Sequence, residues 1–185
     1  MRSESQKLEI TLATKITILR VLLTVPIVVL MSFGEFYISF ALFIFASVTD
    51  FLDGYLARKM NEVTVLGKFI DQLADKILIT STLIAFMDIG FLGSWFVIVT
   101  VVRDIIVNGI RMIAAEKGIV IAADKLGKIK TVSQVVLIIV LFIHGIINLQ
   151  TSLVSTILVW LSFLFTVISG INYTFRNIHV IKGAN

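Results

Sequence analysis

The chain is expected to be an all-α integral membrane protein of six transmembrane helices, and three observations lead there. Of its 185 residues, 58% are apolar and 15% charged, with a mean hydropathy of +1.03, whereas a soluble domain carries about a quarter charged residues. Stretches free of Asp, Glu, Lys and Arg recur at 21–34, 36–49, 77–87 and 89–102, and 131–175 contains only His144. The 16 Lys and Arg residues are also unevenly placed: the three turns expected near 34–36, 89–94 and 148–152 hold none of them. Because basic residues stay on the cytoplasmic side, those turns are external and both termini are cytoplasmic.

The elements follow in order. The start, "MRSESQKLEITLATK", is polar and shows no small-residue cleavage site, so it reads as a lead-in and not as a signal peptide. Leu8, Ile10 and Leu12 give it a short interfacial helix within a cytoplasmic segment 1–14. A spanning helix needs about 20 residues, more than most charge-free stretches supply, so each span must draw charged residues into its ends. This places spans near 15–34, 36–57, 67–88, 94–113, 131–149 and 152–174, the last two divided by the polar turn of Asn148, Gln150, Thr151 and Ser152. The membrane domain is then 15–175 and a cytoplasmic tail 176–185. Cysteine is absent, which excludes disulfides and thiolate metal sites. The net charge of +4 reads as a marker of topology, with no nucleic-acid partner implied.

The acids are concentrated in "TDFLDGYLARKMNEVTVLGKFIDQLADK", residues 49–76. Only 11 residues separate Lys76 from Asp88, so the third span must begin near Gly67, and Asp71 and Asp75 lie in the inner part of the membrane or at its edge. Ionised groups at that depth are costly unless paired, solvated or bound to metal, which makes them functional candidates. At 100° per residue, Asp50, Asp53, Gly54 and Ala57 share one helix face with Arg58 at its margin, and Gly67, Asp71 and Asp75 recur at intervals of four. Four carboxylates in this arrangement repel one another, and divalent cations are their natural partners; all-oxygen ligation suits Mg²⁺ or Mn²⁺. Two such ions can clamp a diphosphate. Asp88 and Asp104 read instead as helix-packing hydrogen bonders or halves of ion pairs, and Glu62, Glu116 and Asp124 as solvated loop residues.

The string Asp50-x2-Asp53-Gly54-x2-Ala57-Arg58-x8-Gly67-x3-Asp71-x3-Asp75 resembles, at all its fixed positions, the signature of the CDP-alcohol phosphotransferase family. Further stretches, "KITILRV", "LGKFIDQLADK", "RDIIVNGIRMIAAEKG" and the loop segment "LGKIKT", are similar to the branch whose members use glycerol 3-phosphate as acceptor. The likeness runs from about residue 13 to 135, the last two helices being only generically apolar. Three departures stand out: Gln72 where proline is usual, Ala13-Thr14 where Pro-Asn is common, and Asp104-Ile105 where Glu-Phe follows the arginine.

The resemblance implies that Asp50, Asp53, Asp71 and Asp75 share two divalent ions, with Asp75 also the general base. It implies that Asp50, Asp53, Gly54, Ala57, Arg58 and Gly67 hold the CDP moiety of CDP-diacylglycerol, and that family members are commonly homodimers. A phosphate-bearing acceptor needs its own cations, and Arg103, Arg111, Lys125, Lys128 and Lys130 are the candidates. Arg103 lies inside a span and needs a partner; Asp104, though adjacent in the chain, is expected to project elsewhere. Another acceptor alcohol, such as inositol phosphate, is the nearest alternative. An ion-coupled transporter is a more distant one, disfavoured because the acids cluster on one side and the last two spans carry none.

Overall fold

The computed structural model describes residues 12–59, 65–119, 121 and 124–182, with side chains described over 16–49, 73–119, 121 and 124–178. Six helices follow one another: α1 (Leu12–Ser32), α2 (Phe36–Lys59), α3 (Val65–Asp88), α4 (Ser94–Glu116), α5 (Lys125–Ile146) and α6 (Leu153–Lys182). Their order matches the sequence expectation, with two changes of boundary. "LGKIKT", expected in a loop, forms the opening turns of α5, and α6 runs through Lys182 into the expected tail. Both changes have one cause: nothing between Lys125 and Thr131, or between Asn172 and Lys182, breaks a helix, since the chain's single proline lies elsewhere. The expected interfacial helix at 1–14 falls almost wholly outside the described residues.

Four helices end in one way. At the ends of α1, α3, α4 and α5 a residue with positive φ follows the last turn: Gly34 (φ 80°), Gly90 (84°), Gly118 (71°) and Asn148 (53°). The next residue then donates its amide to the carbonyl five positions back, as in Glu35 to Leu30 (2.9 Å), Phe91 to Phe86 (2.8 Å), Ile119 to Ala114 (2.8 Å) and Leu149 to His144 (2.8 Å). These Schellman closures satisfy carbonyls that the helix would leave unpaired. They allow turns of a few residues and explain why the expected breaks at 34–36, 89–94 and 148–152 hold. At the last of these, Ser152 and Ser155 cap α6 reciprocally: Ser155 N donates to Ser152 Oγ (3.1 Å) and Ser152 N to Ser155 Oγ (3.0 Å). The buried His144 reaches the same Ser152 hydroxyl through Nε2 at 3.1 Å.

The chain divides into two compact units, Met1–Ser81 and Thr82–Asn185. In the first, α1 packs on α2. The buried faces follow alternating steps of three and four: Thr17, Arg20, Thr24, Ile27 and Met31 on α1, and Ser39, Phe43 and Ala46 on α2. Leu22, Val25, Tyr37 and Phe45 point outward. In the second unit, α4 and α5 each pack on α6. Phe86 meets Phe142 edge-on at 4.9 Å, and Trp95, near the start of α4, packs against Trp160 and Phe163 of α6 at 5.3 and 5.1 Å. Among the described residues, two helices, Lys125–Ile146 and Leu153–Ile178, are long and apolar enough to cross a membrane, and Ile16–Ser32 and Phe36–Thr49 are shorter apolar helices.

A side chain added at Gly34 or Gly90 would meet nothing within 4 Å, so the cost of substitution is conformational alone. Gly34→Ala and Gly90→Ala should each destabilise the protein by about 1 kcal/mol, while Asn148→Gly should be neutral or stabilising. Thermal denaturation in detergent measures all three.

Candidate active site

The motif residues lie on two consecutive helices. Asp50, Asp53, Gly54, Ala57 and Arg58 are on the last turns of α2, and Gly67, Asp71 and Asp75 on the first turns of α3. Along α2 the buried positions Ser39, Phe43 and Ala46 lead at the same three-and-four spacing to positions 50, 53 and 57. The aspartates are thus placed on the backbone register of the packed face. On α3, Asp75 is partly buried and sits beside Ala74 and one turn from Leu78, both buried. The rise of an α-helix separates the paired positions by roughly 4.5 Å on α2 and 6 Å on α3 along the axes. The side chains of Asp50, Asp53, Ala57, Arg58 and Asp71 lie outside the described residues. As donors, four carboxylates suit a hard divalent cation. Among the described residues, no other group of three or more His, Asp or Glu side chains could hold one.

The candidate acceptor residues lie on the second unit and separate into three environments. Arg103 and Lys130 come together on Asp104. Lys130 Nζ lies 2.9 Å from both Asp104 oxygens, and Arg103 Nη1 lies 2.9 Å from Oδ1. The side chains are 4%, 12% and 13% exposed for Lys130, Arg103 and Asp104 respectively. The expectation that Asp104 projects away from Arg103 is therefore corrected: the long arginine stem carries its guanidinium back to the neighbouring carboxylate. Arg111 turns to α6, donating from Nε to the Tyr173 hydroxyl at 3.1 Å, with its guanidinium 5.5 Å from the ring centre. Lys125 and Lys128, in the first turn of α5, are exposed.

Asp124 is also corrected. It was expected to be a solvated loop acid, but it precedes α5 and leaves the helix amides uncapped by its side chain. Its carboxylate instead accepts from Asn172 Nδ2 at 2.7 Å and lies 3.6 Å from Arg176 Nη1. It thereby ties the start of α5 to α6.

Two glycines make room for Arg103. A methyl at Gly170 of α6 would sit 2.8 Å from Arg103 Cγ, and one at Gly127 of α5 would sit 3.6 Å from Nη2. The stem of Arg103 also lines a cavity of about 380 Å³ between α4 and α6, walled by Val102, Ile106, Val167, Ile171 and Phe175. Thr166 and Thr174 at its edge donate to Ser162 O (2.6 Å) and Gly170 O (2.9 Å), which hides their polarity within the helix. Sequence reasoning missed Asp104, Tyr173, Asn172 and Gly170 as partners of these charges. The one signal available was Asn172 near the end of an otherwise uncharged stretch, with Arg176 just past it.

A family model for CDP-alcohol phosphatidyltransferase matches residues 10–168. The chain belongs to this family. A Bacillus subtilis protein named CDP-diacylglycerol–glycerol-3-phosphate 3-phosphatidyltransferase is 43% identical over 148 residues, covering 78% of this chain and 75% of its own. Proteins of the same name from Rickettsia felis and Wigglesworthia glossinidia brevipalpis are 31% and 33% identical, covering 90% and 85% of this chain and 95% and 93% of theirs. The family match spans all eight motif residues. It also reaches into α6, so the CDP-alcohol phosphatidyltransferase likeness extends beyond residue 135, where sequence reading ended it.

Gly170→Ala should drive a methyl into the arginine stem and destabilise the protein by about 1–3 kcal/mol, as overpacking does. A lowered melting temperature of the purified variant would record it, and an unchanged one would contradict the close approach.

Proposed function

We propose that the protein transfers the phosphatidyl group of CDP-diacylglycerol to glycerol 3-phosphate, yielding phosphatidylglycerophosphate and CMP for phospholipid synthesis. The observation that carries this reading is the complete eight-residue motif inside a family match covering most of the chain, joined to relatives named for that reaction. In this reading all six helices cross a bacterial-type cytoplasmic membrane, with 15–175 as the catalytic domain, both termini cytoplasmic, and the reaction at the cytoplasmic side. The outward-pointing Leu22, Phe33, Leu153 and Phe175 support it, since apolar exteriors of this kind suit lipid. The protein acts as a homodimer, as the family resemblance implies.

Asp50, Asp53, Asp71 and Asp75 would hold two divalent ions, Mg²⁺ or Mn²⁺, which when bound neutralise the diphosphate and the departing phosphate. Arg58 provides a guanidinium for the same diphosphate. Gly54, Ala57 and Gly67 present almost no side chain, so the nucleotide can approach backbone. Asp75 takes the proton of the acceptor hydroxyl as that oxygen bonds to the lipid-linked β-phosphorus. The bond from that phosphorus to the bridging oxygen breaks, and CMP leaves with the electron pair. Arg103, Arg111, Lys125, Lys128 and Lys130 supply the positive charge that a phosphate-bearing acceptor requires.

Purified protein in detergent with CDP-diacylglycerol, Mg²⁺ or Mn²⁺ and a panel of acceptor alcohols should release CMP with glycerol 3-phosphate. CMP release with inositol phosphate alone would move the acceptor assignment, and none with any acceptor would overturn the enzyme. Asp75→Asn should bind CDP-diacylglycerol yet lose turnover by at least ~100-fold, the usual contribution of a general base. Chelation of divalent ions should abolish CMP release, and added Mg²⁺ or Mn²⁺ should restore it.

A further inference from the structure

Of the basic residues in the second unit, two share one counterion. Lys130 sits on the first turns of α5 and is 3% exposed as a whole residue, an extreme for a lysine. Its ammonium is fixed by both oxygens of Asp104, from α4, at 2.9 Å. The same Oδ1 accepts from Arg103 Nη1 at 2.9 Å. Two buried cations this close would repel strongly and keep their desolvation cost. One carboxylate between them makes the pair tolerable.

The surroundings hold this geometry from the other sides. Gly170 of α6 leaves room only for the arginine stem, a methyl there reaching within 2.8 Å of Cγ, and Gly127 of α5 faces the guanidinium edge. Arg103 is thus located by three helices and a salt link, not by its own flexible chain. Side chains located in this way meet an anion without first losing conformational freedom.

We infer that Asp104 is a positioning residue for the acceptor: it holds Arg103 and Lys130 as a preorganised cation pair that recognises the phosphate of the acceptor alcohol. This rests on the reading that the enzyme uses a phosphate-bearing acceptor. Asp104 touches neither substrate and acts through the two cations. Its removal unpins the lysine and lets the cations separate, so the loss falls on acceptor binding and not on the chemical step.

The test measures kcat and KM for both substrates with full-length protein. Asp104→Asn should raise KM for glycerol 3-phosphate roughly tenfold or more, the scale of a lost charge-assisted contact. KM for CDP-diacylglycerol and kcat at saturating acceptor should stay within about threefold. Asp104→Glu, which keeps the charge, should restore most of the acceptor affinity. Asp104→Asn combined with Lys130→Met should weaken acceptor binding by less than the product of the two single losses, because Asp104 acts in part through Lys130. Unchanged acceptor KM in Asp104→Asn, or losses that multiply in the double variant, would overturn the positioning role. Should Asp104→Asn fail to fold, the double variant carries the test: its acceptor KM should exceed that of Lys130→Met at similar kcat, because Arg103 has also lost its anchor, and an equal KM would overturn the role. Wild-type protein that releases CMP only with an acceptor lacking phosphate would instead overturn the acceptor reading, a result visible before any variant is made.

Discussion

The structure depends on one constraint: an exterior this apolar offers polar groups nothing to bond to, so each must be satisfied within the chain. Helices satisfy the backbone, and four of the turns between them are closed by amides that bond five residues back. Hydroxyls follow the same logic. Thr24, Ser39, Thr49, Thr131, Thr166 and Thr174 each donate to a carbonyl three or four residues back on their own helix. A hydroxyl bonded in this way costs little to bury and leaves its methyl or stem to pack. Polar residues can therefore be placed within the helices without demanding partners across them.

Charges cannot be satisfied so locally, and they organise the second unit. Asp104 joins α4 to the start of α5 through Lys130, Asp124 joins the start of α5 to α6 through Asn172, and Arg111 joins α4 to α6 through Tyr173. Three polar links thus connect each pair among the three helices, spread from the middle of α4 to its last turns. At the other end of α4 the contacts are aromatic, with Trp95 against Trp160 and Phe163. The polar end is also where the proposed acceptor cations stand. The residues that fasten the helices and those that would recognise a phosphate are in part the same.

The sequence went far in some respects and stopped short in others for identifiable reasons. Helix number and the breaks between helices were legible because turn residues and span length act locally: Gly34, Gly90 and Asn148 mark their turns without reference to the rest of the chain. The start of α5 was misplaced because Lys125, Lys128 and Lys130 look like loop residues by polarity, while helical backbone tolerates them readily. Asp124 was misjudged for a related reason: a carboxylate reads as solvated until its partner is known, and that partner, Asn172, lies 48 residues away. The partner of Asp104, Lys130, is likewise 26 residues distant.

By itself the sequence determined the all-helical class, the six helices, the family and the places of the motif residues along α2 and α3. These follow from composition, local turn chemistry and spacing within single helices, which need no knowledge of distant neighbours. Only the tertiary structure decided which acid answers which base: that Arg103 and Lys130 share Asp104, that Arg111 rests on Tyr173, and that Gly170 exists to admit an arginine stem. A direct ion pair needs its groups within about 4 Å and is blind to separation along the chain, so it appears only once the helices are assembled.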